Sequence, residues 1–469
     1  MTAAQTAMRT GTTLGNRLLN SIYLALHYRG QAKYPYKSLE QVLADQSRRV
    51  QRTVTYAYRH VPYYRETMGR LGLCPTDFST ADDLAKLPLL ERAQVQRDPE
   101  YFVSSAEPLD HYLRLRNSGT TGQPCTFYYD SRAVLLDAAH TGRAYAALTP
   151  LLDKPVGYRK TMVFPARGAA GRVQAFLRRH TLLPGAVALR RQTLSVYAPP
   201  ETNVLLINEF KPDVIHSYGS YLAALFESVH SAGKPVHLPR VVLYTGDALP
   251  ETALRLIQDE LHVPVFGIYE AVEAHNIGFQ CEQATGLHLN VDLCALRIAD
   301  ADGRTLPDGE FGIVVISNLV SRATVLLNYR LDDIATRLPG SCPCGRSLPL
   351  LSSVQGRSDD WLEGPSGQAV HPQAVVRIFK HVPGLWQWQV TQETPTHFCV
   401  LLVVADGCDQ QATSVEIADE LVRVFGEGTM ADVRFVHSIP RTPGGKVRPV
   451  VSLRGRQRMD QTFARTNRT

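Results

Sequence analysis

The chain lacks a hydrophobic run long enough to cross a membrane. Leu18, Leu19, Ile22, Leu24 and Leu26 cluster near the N-terminus, but Asn20, Ser21 and Tyr23 interrupt them. No small-residue cleavage site of the secretory form follows. The segment reads as an amphipathic helix, no membrane contact is expected, and the expected location is the cytoplasm. Disulfide spacing is missing as well. Eight cysteines are scattered over 469 residues, which excludes a stapled secreted scaffold. Charge of one sign is scarce: the formal net charge is only +6. Part of that comes from the tail (Arg454, Arg456, Arg458, Arg465 and Arg468), where Phe463 is the one aromatic, so no nucleic-acid partner is expected. No internal repeat is evident. With 44% hydrophobic and 20% charged residues, what remains is a soluble globular protein long enough for two or three domains.

A Walker sequence is also absent, yet a candidate phosphate loop is present. Residues 117–126 read NSGTTGQPCT, between an extended segment at 111–116 and an aromatic one at 127–129. The pattern predicts a strand–loop–strand hairpin. Its glycines let successive N–H groups converge while Ser118, Thr120 and Thr121 add hydroxyl donors, a combination that cradles phosphate oxygens. Taken alone, the same residues also suit a plain surface loop.

Before this loop, residues 16–73 predict helices broken at His60-Val61-Pro62. From about 130 to 300, apolar strand runs at 161–164, 213–216, 241–244 and 263–269 alternate with helical patterns at 133–148, 221–231 and 250–261. That alternation predicts a parallel sheet covered by helices, with ligand sites at the carboxyl ends of the strands. Residues 287–338 turn strand-rich (288–298, 312–317 and 325–329) and read as a smaller β unit. Beyond residue 356 a helix at 371–381, strands near 386–404, a helix at 411–426 and a strand at 433–436 predict an α+β lid. The expected fold is α/β: a large N-terminal domain (1–357) of helix-covered, mostly parallel sheets plus the β unit, and a small mobile lid (358–469).

Six motifs in order give this pattern a family resemblance over roughly residues 60–450. They are Ser118–Gly122 followed by Pro124; Gly246-Asp247-Ala248; Tyr269 through Glu273; Tyr329 through Asp333; Gly356 through Asp360; and Pro440 through Lys446. Together they resemble the adenylate-forming superfamily of acyl-CoA synthetases, aryl ligases and adenylation domains. More closely, they resemble its phenylacetate–CoA ligase branch, with the capsule-biosynthesis-type members.

The resemblance implies that Ser118, Gly119, Thr120, Thr121 and Gly122 hold the ATP phosphates and that Glu273 holds magnesium. Tyr269 and the Gly246–Ala248 backbone, including Asp247, would flank adenine. Asp333 would take the ribose hydroxyls, with Arg357 reaching ribose or phosphate, and Asp359 would be the hinge. Lys446, with Glu273 and Thr120, would be catalytic, its ammonium offsetting the charge of two anions that must meet. Strand-end positions put the acid pocket near Tyr218, Tyr221, Ala248 and Ala271, and an aromatic acid is expected there. Three positions depart from the family pattern: Glu270 in place of Gly, Val272 in place of a hydroxyl residue, and Asp332 in place of Gly.

Members of this branch often carry a Cys…His…Cys-x-Cys set, here Cys281, His288, Cys342 and Cys344, with Cys294 as a substitute ligand. Three thiolates and an imidazole form a closed structural zinc set rather than a catalytic one. The implied function is an AMP-forming ligase that turns a carboxylic acid into an acyl-adenylate and passes it to a thiol, coenzyme A first among the acceptors. An amine or carrier-protein acceptor, an adenylyltransferase that leaves AMP on its substrate, and a nucleotide-binding regulator are the alternatives. The helical N-terminal region could serve a homodimer contact.

Overall fold

The computed structural model describes residues 13–117, 125–152, 157–166, 168–182, 190–232, 236–354, 361–370, 372–379, 382–405, 407–442 and 444–452. The expected phosphate loop, Ser118–Gly122, and the expected Arg357 and Asp359 contacts lie outside the described residues.

Helix α1 (Leu14–Arg29) is followed by α2 (Leu39–His60) and α3 (Pro62–Leu71). Ser38 starts α2 by a reciprocal cap. Its hydroxyl accepts the Gln41 N–H at 3.2 Å, and the Gln41 side chain accepts the Ser38 N–H at 3.3 Å. Pro62 at the first position of α3 forces the expected break, because the residue before a proline is pushed out of the helical region. The short α4 (Arg92–Arg97) leads to β1 (Leu113–Arg116) and β2 (Thr126–Tyr129), which pair antiparallel with Arg116 opposite Thr126. The predicted hairpin is therefore present. Asp130 caps α5 (Ser131–Leu148), accepting the Ala133 N–H at 2.9 Å.

Strand β3 (Arg159–Val163), α6 (Ala169–His180), β4 (Arg190–Leu194), α7 (Pro200–Phe210), β5 (Val214–Tyr218), α8 (Gly219–Ala232), β6 (Val241–Thr245), α9 (Glu251–Arg255) and β7 (Val265–Ala271) follow. β4, β3, β5, β6 and β7 run parallel, as the strand–helix alternation requires. The helix expected over 250–261 divides into α9 and one π turn at Leu256–Glu260.

The chain then turns antiparallel through β8 (His275–Gln280), β9 (Leu287–Leu289), β10 (Cys294–Ala299), β11 (Phe311–Asn318), β12 (Tyr329–Leu338) and β13 (Leu350–Leu351). The expected β unit is the antiparallel wing of the same sheet. Eleven strands run in the order β10-β11-β12-β13-β9-β8-β7-β6-β5-β3-β4. Two boundaries differ from expectation. The run 288–298 is split by a turn in which Leu293 and Cys294 donate to the Asn290 carbonyl at 2.8 and 3.0 Å. The run at 325–329 stays irregular until Tyr329, because Asn328 is left-handed with φ 54°.

The C-terminal elements are β14 (Leu362–Glu363), β15 (Ala369–Val370), α10 (Pro372–Phe379), β16 (Leu385–Thr394), β17 (His397–Val404), α11 (Gln410–Phe425), β18 (Met430–Phe435) and β19 (Val450–Val451). β18-β17-β16-β19 form a separate four-stranded sheet with its own core, centred on Val390, Phe398, Val400 and Leu421. It docks through apolar contact. Trp386, Val403, Ile439 and Val447 join the cluster under α8 that holds Leu222, Leu225 and Phe226. Among the described residues, no helix is long and apolar enough to cross a membrane.

The large unit is tied together by one buried carboxylate. Asp292 accepts two hydrogen bonds from Arg143, at 2.6 and 2.9 Å, with His140 at 3.3 Å and Arg49 at 3.4 Å. Arg143 also reaches Asn290 and Gln31, at 3.0 and 2.8 Å, so α5, the turn after β9 and the end of α1 meet at one point. Burial pushes the Asp292 carboxyl up, but Arg143 and then His140 outweigh it and hold it well below the carboxylate range. Its contribution is therefore present above the ordinary carboxylate pKa and lost only as pH falls through that depressed value. Asp292→Ala leaves a buried guanidinium uncompensated and should destabilise the fold by about 3–5 kcal/mol, read as a lower urea midpoint at neutral pH.

Candidate functional site

β5, β6 and β7 end side by side at Tyr218, Thr245 and Ala271, and their carboxyl ends border a cavity of about 1780 Å³. This is where an open parallel sheet binds its ligands. Immediately after β6 the chain turns at Gly246, with φ 80°. A Cβ there would lie 2.9 Å from the Tyr218 ring and 3.0 Å from Lys446 Cε, so only glycine fits. Through that gap Lys446 Nζ donates to the Gly246 carbonyl at 2.6 Å, with the Tyr218 ring centroid at 5.3 Å.

A tight turn presents the lysine. The Thr442 N–H donates to the Lys446 carbonyl, and the Gly445 N–H to the Thr442 carbonyl, both at 2.8 Å. Arg441 anchors the turn to α8 through the Ser220 carbonyl at 3.3 Å. The Asp247 carboxylate faces α8, accepting the Ser220 N–H at 3.1 Å and its hydroxyl at 2.6 Å. Burial pushes this carboxyl up, against the pull of Lys446 and Ser220. The Ala248 backbone packs directly on Gly219 at the start of α8.

Tyr269, at the end of β7, donates its hydroxyl to Asp333 at 2.7 Å, bringing together two residues 64 positions apart. Asp332 beside it is left-handed with φ 68°. This explains why glycine suits that position; aspartate is among the side chains that tolerate it. Arg330 holds Asp332 at 2.8 Å. Glu273 is buried at the cavity wall and accepts from Asn117 Nδ2 at 2.7 Å. Asn117 in turn accepts from the Cys125 N–H at 2.8 Å and from Arg92 at 3.2 Å. Sequence reasoning assigned neither Asn117 nor Arg92 a role. Asn117 opens the singled-out loop, but Arg92 lies 25 positions upstream with no motif around it. Val272 brings no hydroxyl, and its carbonyl accepts from Tyr129.

Tyr218 and Ala271 line the cavity, as expected. Tyr221 does not. It is buried in the core beneath α8, its hydroxyl bonded to Asn203 and its ring under Arg441, because the helix turns it away from the strand ends. Glu270 points into the cavity, and Thr245 approaches it at 3.4 Å. Burial first, then Asp137, pushes its carboxyl up to about 7.

A second cluster lies on the antiparallel wing. The ligand atoms of Cys281, His288, Cys342 and Cys344 all fall within 4.8 Å of one another. Cys281 and Cys342 sulfurs are 3.6 Å apart, and Cys344 Sγ is 3.4 Å from His288 Nε2. A tetrahedral ion with metal–sulfur bonds of about 2.3 Å needs ligand edges of about 3.8 Å, so the set fits zinc. Cys294 is not in it; its thiol is buried against its own strand at the Ala295 carbonyl. Thr285 Oγ1 lies 3.1 Å from Cys342 Sγ and the Arg346 N–H 3.5 Å from Cys344 Sγ, the kind of outer contacts thiolate ligands take.

The chain is similar to known proteins over most of its length. Residues 362–453 match the CapK C-terminal domain family. Phenylacetate-coenzyme A ligase of Thermus thermophilus is 27% identical over 454 residues, covering 88% of this chain and 97% of that protein. Protein CapK of Staphylococcus aureus is 19% identical, covering 86% of this chain and 87% of its own length. The solved structure of 2-hydroxyisobutyryl-CoA ligase in the postadenylation state superposes with a TM-score of 0.70 at 18% identity, over 90% of this chain and 92% of that one.

The contact between Gly219 and Ala248 provides a direct check on the site's frame. A Cβ at Gly219 would sit 2.5 Å from the Ala248 carbonyl carbon and oxygen and the Leu249 nitrogen. Gly219→Ala should cost about 1–3 kcal/mol, measured as a lowered urea midpoint.

Proposed function

The chain belongs to the adenylate-forming superfamily, in the phenylacetate–CoA ligase-like branch that includes CapK, and is an ATP-dependent, AMP-forming ligase; we propose that it activates a carboxylic acid with an aromatic or extended apolar body and transfers it to coenzyme A. The carboxylate attacks the α-phosphorus of ATP and pyrophosphate leaves, giving an acyl-adenylate. The thiol then attacks the acyl carbonyl and AMP leaves.

The observation that carries this reading is the Lys446 ammonium at the Gly246 carbonyl, beside the Tyr269–Asp333 pair and Glu273 in one cavity. In-line attack brings two anions together, and a cation at that point lowers the barrier. Asp333 accepts the ribose hydroxyls, while Tyr269 orients Asp333 and flanks adenine with the Gly246–Ala248 turn. Ser118–Gly122, with catalytic Thr120, hold the phosphates, and Arg357 supports ribose or phosphate. Glu273, oriented by Asn117, would hold magnesium, which offsets phosphate charge when bound. The aromatic walls at Phe164 and Tyr218, whose rings lie 5.1 Å apart, suit an aromatic acid.

Residues 1–357 form the nucleotide- and acid-binding unit and 358–469 the lid, hinged at Asp359, so that Lys446 is withdrawn before the thiol enters. Cys281, His288, Cys342 and Cys344 hold a structural zinc ion that pins the antiparallel wing.

Three measurements test the reading. Exchange of pyrophosphate into ATP should depend on one acid from a panel and fall by about 100- to 1,000-fold in Lys446→Ala. Added coenzyme A should then yield thioester, whereas amide or carrier-bound product would reassign the acceptor. Purified protein should contain one zinc per chain. Cys342→Ser should lose it together with several degrees of melting temperature, while no zinc in the wild type removes the metal proposal.

A further inference from the structure

The acid pocket has an unusual far end. Along a strand alternate residues share a face, so Lys160 and Met162 of β3, with Phe164 just beyond its end, line up with His216 and Tyr218 of β5, through the register Met162 to His216. This face lies against α5, from which the Tyr145 hydroxyl meets the Lys160 ammonium. All of these side chains border the cavity. Lys160 is in register with Val214, four residues before Tyr218, so its Cα sits about 13 Å back along the sheet from the reacting end at about 3.3 Å per residue.

Lys160 is only 3% exposed. On its other side it is in register with Arg191 of β4, which also borders the cavity. Like charges opposite each other on neighbouring strands repel, and a buried ammonium ordinarily has an anionic partner. Among the described residues, neither Lys160 nor Arg191 forms an ion pair with a carboxylate. Two carboxyls lie nearby. Asp137 accepts from Asn276 at 2.6 Å and faces His275 at 3.5 Å. Glu270 feels the Lys160 charge, which pulls its carboxyl down, but burial and then Asp137 outweigh that pull and push it up to about 7, and its described polar contact is Thr245, not Lys160. His216 lies on the same face, 6% exposed, with both ring nitrogens buried and without a hydrogen-bond partner. Burial, then Lys160 and Arg191, hold it well below its usual range, so it is a neutral ring with one donor and one acceptor to offer.

We propose that the acid activated by this enzyme carries a second anionic group at its far end, received by Lys160 and Arg191 with His216 and Tyr145. The substrate class is then a dicarboxylic acid or its equivalent, with one carboxylate at Lys446 and the other at Lys160. This rests on the ligase reading above and adds to it the identity of the far end. The elements of the ligand are complementary to the pocket: an apolar or aromatic body against Met162 and Phe164, and a charge where two cations in register form no ion pair among the described residues.

The test is pyrophosphate exchange with matched pairs of acids: suberate against octanoate, and para-carboxycinnamate against para-methylcinnamate. The wild type should prefer the dianion of at least one pair by tenfold or more in kcat/KM. Lys160→Met should reverse that ratio, and Lys160→Arg should restore it in part. Arg191→Met, at an exposed position, should lower the same ratio and keeps the test readable if Lys160→Met folds poorly, as a melting curve would reveal. Equal use of both members, or a preference for the neutral ones that Lys160→Met leaves in place, overturns this inference and leaves the ligase reading standing. Exchange with none of the four nor with simple aryl and alkyl acids, by protein that binds ATP, overturns the ligase reading and this inference with it.

Discussion

Lys446 can reach the Gly246 carbonyl only because three surfaces meet without an intervening side chain. Gly246 has no Cβ between Tyr218 and the lysine, Gly219 lets the Ala248 backbone lie on α8, and the C-terminal sheet shares an apolar cluster with that helix. Each condition alone is an ordinary packing fact. Together they put a cation, carried by one folded unit, at the strand ends of another. Shared apolar burial holds this posture without a covalent tie, and contacts of that kind can be given up when a lid must move.

Charge is managed differently in the two halves of the large unit. Around Asp292 each buried ion is matched: Arg143, His140 and Arg49 converge on one carboxylate, and the leftover donors find Gln31 and Asn290. That arrangement is complete in itself and serves the fold. Around Lys160 the balance is left open among the described residues, with two cations in register and a histidine whose ring nitrogens have no hydrogen-bond partner there. Buried polar groups are ordinarily satisfied, and an imbalance facing a cavity is where a ligand's charge belongs.

The motif-bearing residues acquire physical reasons from their surroundings. Glu273 is oriented by Asn117, which is itself fixed by a backbone N–H and by Arg92. Asp333 is oriented by the Tyr269 hydroxyl. Of the departures from the family pattern, Asp332 is accommodated by a left-handed backbone and an Arg330 contact, while Glu270 borders the cavity at the strand ends.

Much of this protein was legible in its sequence because the signals are local. Alternating strand and helix patterns from about 130 to 300 marked the parallel sheet, which ends at Ala271, Pro62 marked the helix break, and the pattern at 111–129 marked the hairpin. The grouping of Lys446 with Gly246, and of Cys281 with His288, Cys342 and Cys344, followed from motif resemblance. Other features depended on contacts distant in sequence. Nothing local distinguishes a turn at Asn290 from a continuing strand, or tells that the β wing joins the parallel sheet through the short β13. Tyr221 looked like a pocket residue because its neighbour Tyr218 is one, but three residues on a helix rotate a side chain away from the strand it follows. Lys160 and His216 stand in strands that also carry Met162, Val163, Val214 and Ile215, a signal the sequence does contain. That neither Lys160 nor Arg191 forms an ion pair among the described residues, however, is a property of the assembled sheet, since only tertiary structure brings β4 beside β3 and leaves the two charges bordering a cavity.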